Sequence, residues 1–171
     1  MTHPAGPHGP SGPERPAMTD SAALAAEYDT LVFPRFTEDT ALSLGLRLVE
    51  LARAEALPVV IDIRSADRTF FHVALPGSAP LNDRWAARKS ATALAFQLPS
   101  LLVGARNRDK GDTLQSHGLS PDTHADHGGA VPIRVAGVGV VACVTVSGLP
   151  QVQDHQLAVR AIRDLIGPAP E

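Results

Sequence analysis

Residues 131–147 read VPIRVAGVGVVACVTVS. Two apolar arms, Val131 to Val135 and Val138 to Val146, flank Gly137. Short β-branched runs on either side of a glycine predict a β-hairpin. The second arm is nearly all apolar, through Val138, Val140, Val141, Ala142, Cys143, Val144 and Val146. Such a strand has no polar face to offer water, so it belongs at the centre of a sheet covered on both sides. That requirement organises the rest of the chain.

On the C-terminal side, Ser147-Gly148-Leu149-Pro150-Gln151 turns into a last helix, Asp154 to Ile166. Leu157, Ala158, Ala161, Ile162, Leu165 and Ile166 fall at helical spacing and make its core face, and Gly167-Pro168 stops it. On the N-terminal side, a first hairpin runs from Pro58 through Val59 to Ile63, turns at Ser65-Ala66-Asp67 and returns over Arg68 to Leu75. Before it, Thr37 caps a helix to about Ala56, with Glu38 and Asp39 in its first turn, where the dipole favours them. Its polar stripe is narrow (Thr40, Ser43, Arg47, Glu50), so Leu42, Leu44, Leu46, Leu48, Val49 and Leu51 are expected to be buried. Thr19 or Asp20 caps a short helix through Thr30. Asn82 or Asp83 caps another through about Leu98, and residues 100–110 are helical again. Residues 111–130 are polar and irregular, with a turn starting at Ser120-Pro121 and Gly128 suited to a left-handed position. Two hairpins with helices before, between and after them predict one α+β domain in three layers.

Charge and composition exclude several functions. Lys plus Arg is 15 against 18 for Asp plus Glu, a net charge of -3, which leaves no basic footprint for nucleic acid. One Trp and one Tyr make no base-stacking platform. No apolar run approaches the roughly 20 residues of a membrane span. No basic segment followed by a hydrophobic stretch opens the chain, and Cys143 has no partner for a disulfide, so a reducing, cytoplasmic setting is expected. Residues 1–18 repeat Pro and Gly and read as a disordered tail ending at Met18, where translation can start. The domain is expected over 19–167, with a second tail at 168–171.

Phosphate loop, nucleophile elbow and dinucleotide fingerprint are all missing, so no catalytic residue is assigned. Gly137-Val138-Gly139 lies between strands and is turn chemistry. Trp85, Arg88 and Lys89 share one helix face at i, i+3 and i+4. An aromatic ring beside two cations suits an anionic planar ligand, although a Trp anchoring its helix with solvated neighbours explains the same pattern. His127 precedes Gly128-Gly129, which permits close backbone approach by a ligand or by another strand. His117, His124 and His127 share a loop with Asp122 and Asp126, a set able to gather around a metal or equally to stay solvated. Asp154 opposes anion binding at the start of the last helix, His72 reads as a half-buried structural residue, and Arg106, Arg108 and Lys110 read as a solvated face.

Taken together, His127-Gly-Gly-Ala-Val-Pro-Ile133, Gly137-Val-Gly-Val-Val141, Val146-Ser-Gly-Leu-Pro-Gln151, Asp154-His155, Trp85-Ala-Ala-Arg88-Lys89 and Leu44-Gly45 resemble the haem-degrading-domain family. That family includes GlcG-like proteins, haem-binding HbpS-like proteins and the C-terminal domain of PduO-type adenosyltransferases. The nearest look is to its cytosolic branch with Asn-Asp-x-Trp and His-Gly-Gly, over about residues 20–167. The resemblance implies a profilin-like α/β/α sandwich, an antiparallel sheet of about five strands and a ring-like or stacked homo-oligomer. It implies less about function, contact with haem or a corrinoid being a property of the wider family.

Three functions are consistent with these features. The first is a cytosolic oligomeric binding protein for a small anionic planar ligand, with haem or another tetrapyrrole as the first candidate cofactor. Here Arg88 and Lys89 pair with carboxylates, Trp85 frames the site with Gly128 and Gly129, and His127 is the candidate metal ligand. The second is a haem-degrading enzyme that depends on an external reductant. The third is a non-enzymatic scaffold for protein partners. Neither nucleic acid nor membrane is expected as a partner.

Overall fold

The structure is a computed structural model that describes residues 19–168. The expected tail at 1–18 lies outside the described residues, as do 169–171 of the second tail.

Five strands make one sheet: β1 (Val32–Phe33), β2 (Val60–Arg64), β3 (Thr69–Ala74), β4 (Ala130–Val135) and β5 (Gly139–Ser147), in the order β1-β4-β5-β2-β3. The nearly all-apolar arm is the central strand, as its composition requires. Both hairpins form, β2 with β3 and β4 with β5, and β5 also pairs antiparallel with β2. The sheet is mixed, however. The two residues of β1 add to β4 in parallel, Val32 opposite Arg134 and Phe33 opposite Val135. A two-residue strand has no periodicity to betray it in the sequence.

Alternation along the strands sorts the two faces. Ile61, Ile63, Val131, Ile133, Val144 and Val146 point to one side and form the main core with α2 (Glu38–Ala54) and α5 (Gln151–Ile166). The opposite face carries Asp62, Cys143, Thr145 and Ser147 and is covered by α3 (Pro80–Phe96), with Ala93 against Ala130 and Cys143. Behind it, α4 (Ser100–Lys110) packs on α1 (Ser21–Asp29) through Leu24, Leu101, Leu102 and Ala105. The result is the expected α/β/α sandwich.

The second face is unusually polar for a buried layer. Ser90 bonds Ala86 O and Thr145 Oγ1 at 2.8 and 2.7 Å. Fully buried Asp62 accepts from Arg64 Nη2 at 2.6 Å and meets His72 Nδ1 at 2.7 Å, while His72 Nε2 reaches Asp83 at 2.8 Å. His72 therefore ties β3 to the start of α3.

Several local expectations change. Neither Asn82 nor Asp83 is the N-cap of α3. That position is Ala79, and Asn82 sits one turn in, accepting the Ala79 N–H at 2.8 Å. Gly129, not Gly128, has the left-handed backbone, at φ +135°. Leu42 and Leu46 are about half exposed, because α2 buries only the stripe of Ala41, Leu44, Gly45, Leu48, Leu51 and Ala52. α5 starts at Gln151, three residues before the expected start.

Candidate functional site

Pro80 opens α3 and fixes its direction, so that Asn82, Trp85 and Lys89, spaced by three and four residues, line one side of the helix. That side meets the loop carrying His127 and the turn Ser147 to Leu149, where the central strand runs into α5. Gln151 and Asp154 complete the wall of a cavity of about 220 Å³.

Its floor is an ion pair. Lys89 Nζ donates to Asp154 Oδ2 at 2.8 Å and to the Val146 carbonyl at 3.4 Å, and both side chains are almost fully buried. Asp154 also accepts the N–H of Leu149 at 2.9 Å and of Gly148 at 3.4 Å. The N–H groups of the turn leading into α5 are thus occupied by the chain's own carboxylate. Burial raises the Asp154 carboxyl above its ordinary range, against the pull of Lys89 and the two N–H groups.

The mouth is aromatic. The Trp85 and His127 rings meet edge to face at 5.1 Å, and the Arg88 guanidinium lies over Trp85 at 4.5 Å. Arg88 Nε donates to Pro121 O at 2.8 Å, which holds the irregular loop against α3. His127 is about half exposed, with Nδ1 3.8 Å from Asp126 Oδ1. Asp126 is itself held by Asn107 Nδ2 at 2.9 Å.

The structure thus gathers Trp85, Lys89 and His127 at one cavity and sets Arg88 against the outer face of Trp85. It separates the roles of the two cations: Lys89 pairs with Asp154 in the floor, while Arg88 lies against Trp85 outside the cavity lining. The approach that Gly128 and Gly129 permit is to the chain itself. A Cβ at Gly128 would stand 2.4 Å from the Gln151 carbonyl, and one at Gly129 would stand 2.3 Å from the Val146 carbonyl. The histidine-rich loop spreads out. His117 packs on Phe96, and His124 bonds Thr123. Among the described residues no group of three or more His, Cys, Asp or Glu could hold a metal ion.

Asn82, Ser147, Gln151 and Asp154 were not singled out as site residues by the sequence. Asn82 read as a cap and Asp154 as a negative charge opposing anions at the start of the last helix, and Asp154 does stand in the first turn of that helix. Nothing local signals that Lys89 meets a partner 65 residues away.

Comparison with known proteins places these features in a wider set. A family model described as haem-degrading protein HbpS-like matches residues 36–163. A UPF0303 protein of Streptomyces coelicolor is 53% identical over 153 residues, covering 89% of this chain and 97% of that protein. The crystal structure of the Ybr137w protein superposes with a TM-score of 0.78 at 30% identity, over 85% of this chain and 87% of that one. A PduOC structure solved as a haem complex shares the fold, with a TM-score of 0.66 at 21% identity over 80% of this chain and 99% of that one.

Proposed function

This chain belongs to the haem-degrading HbpS-like protein family, and on that premise we propose that it binds a small anionic planar ligand at the Trp85–His127 mouth, with haem or another tetrapyrrole as the first candidate. The observation that carries this reading is the cluster itself: a half-exposed imidazole and an aromatic edge meet over one cavity, and a guanidinium is stacked on the same tryptophan. A tetrapyrrole fits at the mouth and not inside. The cavity of about 220 Å³ falls below the roughly 300–1,000 Å³ that encloses a drug-sized ligand.

His127 would hold the iron, Trp85, edge to face with the imidazole, would frame the ring and Arg88 would pair with an acidic edge. A bound haem would supply the redox chemistry of its iron. The chain's own part is to bind and orient. Its family description favours haem degradation as the second reading, with electrons from a separate reductase, because the sequence carries no flavin or nucleotide fingerprint. Incubation of the hemin-loaded chain with a reductant, oxygen and catalase tests it. Loss of the Soret band supports turnover, and a persistent band contradicts it.

We also infer self-association in a reducing, cytoplasmic setting. The half-exposed Leu42 and Leu46, one helical turn apart on α2, and the single buried Cys143 support this.

Titration with hemin tests the binding reading. A saturable Soret shift at one equivalent per chain, lost or displaced in His127→Ala, is the expected result. A weak, non-saturating shift identical in the variant overturns it.

A further inference from the structure

We propose that the cavity beneath Trp85 and His127 is a carboxylate site, read by the donors of Asn82, Ser147, Gln151 and Lys89. The inference rests on this cavity being a ligand site and not on iron at His127.

The orientation of two amides carries it. A backbone N–H can only donate, so the side-chain atom facing it must be the amide oxygen. Asn82 Oδ1 accepts from the Ala79 N–H at 2.8 Å, and Gln151 Oε1 accepts from the Gly128 N–H at 3.0 Å. Both residues line the cavity with their oxygens committed, which leaves the two NH₂ groups as the ends free for a ligand. Ser147 adds a hydroxyl to the same wall. Lys89 has three N–H groups, of which Asp154 and the Val146 carbonyl take two.

The acceptors are spent in the same way. Asp154, the one acidic residue on the wall, already serves Lys89, Leu149 and Gly148. A cavity with donors to spare and its carboxylate and amide oxygens engaged selects an acceptor-rich group. Lys89 and Asp154 offset each other's charge, so an entering anion meets no net negative charge at the floor. The volume of about 220 Å³ is well above what a single water needs and below the roughly 300–1,000 Å³ of a drug-sized site. That admits a small organic acid, or the carboxylate arm of a larger planar molecule lying across the mouth.

Benzoate and its neutral amide, benzamide, are suitable probes for calorimetric titration of the full chain. The decisive variants are Asn82→Asp and Gln151→Glu. Each keeps the oxygen that accepts the backbone N–H and replaces the NH₂ donor with a carboxylate oxygen. Benzoate is expected to saturate at one per chain, and benzamide to bind at least about tenfold more weakly, the scale of a hydrogen bond to a charged group. Each variant should weaken benzoate at least as much while its thermal midpoint stays close to that of the parent. Three results overturn the proposal: no saturable benzoate binding by the parent, equal affinity for benzamide, or unchanged benzoate affinity in the folded variants. Hemin distinguishes the two sources of the carboxylate. Displacement of hemin by benzoate assigns the cavity to a tetrapyrrole's own carboxylate, and simultaneous binding assigns it to a separate acid; either supports the site. Failure of hemin to bind while benzoate still binds counts against the iron reading alone.

Discussion

The Lys89–Asp154 pair joins α3 to the start of α5 beneath the ligand cavity. Removing one partner leaves a buried charge unpaired, which costs about 3–5 kcal/mol. Lys89→Ala or Asp154→Ala should therefore lower stability by that order in urea unfolding, while Lys89→Met with Asp154→Asn, which keeps an acceptor for the Leu149 N–H, recovers most of it. Gly129 is a second sensitive point, because Gly129→Ala drives a Cβ into the Val146 carbonyl at an unfavourable φ. His72 makes stability depend on pH. Burial opposes its charge, but Asp62 and Asp83 outweigh burial and hold its pKa above the ordinary value. A raised folded pKa means that the contribution is complete below the unfolded value of about 6.5 and is lost as pH rises through the folded value. The stability gap between the parent and His72→Gln should thus be widest in mild acid and shrink in mild alkali. A gap constant from about pH 5 to about pH 9 contradicts this assignment. Helical spacing made the shared side of Trp85 and Lys89 readable. It could not reveal that one of two adjacent cations would be buried on a distant carboxylate and the other left against Trp85.

Helix ends illustrate how local chemistry and tertiary packing divide the work. Thr37 was legible as a cap because its hydroxyl and that of Thr40 satisfy each other's backbone N–H without outside help. Thr37→Ala should cost about 1 kcal/mol, measurable as a lower urea midpoint with an unchanged slope. Asn82 misled because the same residue type serves one turn inside a helix that Pro80 begins. The early start of α5 was missed for a related reason. Pro150 ends the turn, and Asp154 reaches back to cap Leu149 and Gly148 from within the helix. On α2, hydrophobicity overstated burial. Leu42 and Leu46 lie outside the stripe that Leu44, Leu48 and Leu51 press onto the sheet, a distinction that depends on what stands opposite.

For the molecule as a whole, one mostly apolar strand foretold the architecture, because a strand with so little to offer water needs helices on both sides. Both hairpins and the three layers follow from it. The parallel addition of β1 does not, since two residues joining a distant edge leave no local pattern. The cavity likewise exists only once α3, the 126–129 loop and the β5–α5 turn come together, although Trp85, Lys89 and His127 on its wall were legible as chemically distinctive. The central claim is that this junction is where an anionic planar ligand binds. Nitrogen–proton NMR of the labelled chain tests it most directly, since Trp85 is the only tryptophan and has the only indole N–H. One equivalent of hemin should broaden away that signal together with the amides of residues 127–129 and 147–151, and leave those of Leu42 to Leu46 intact. Uniform broadening, or loss centred elsewhere on the molecule, would contradict the account.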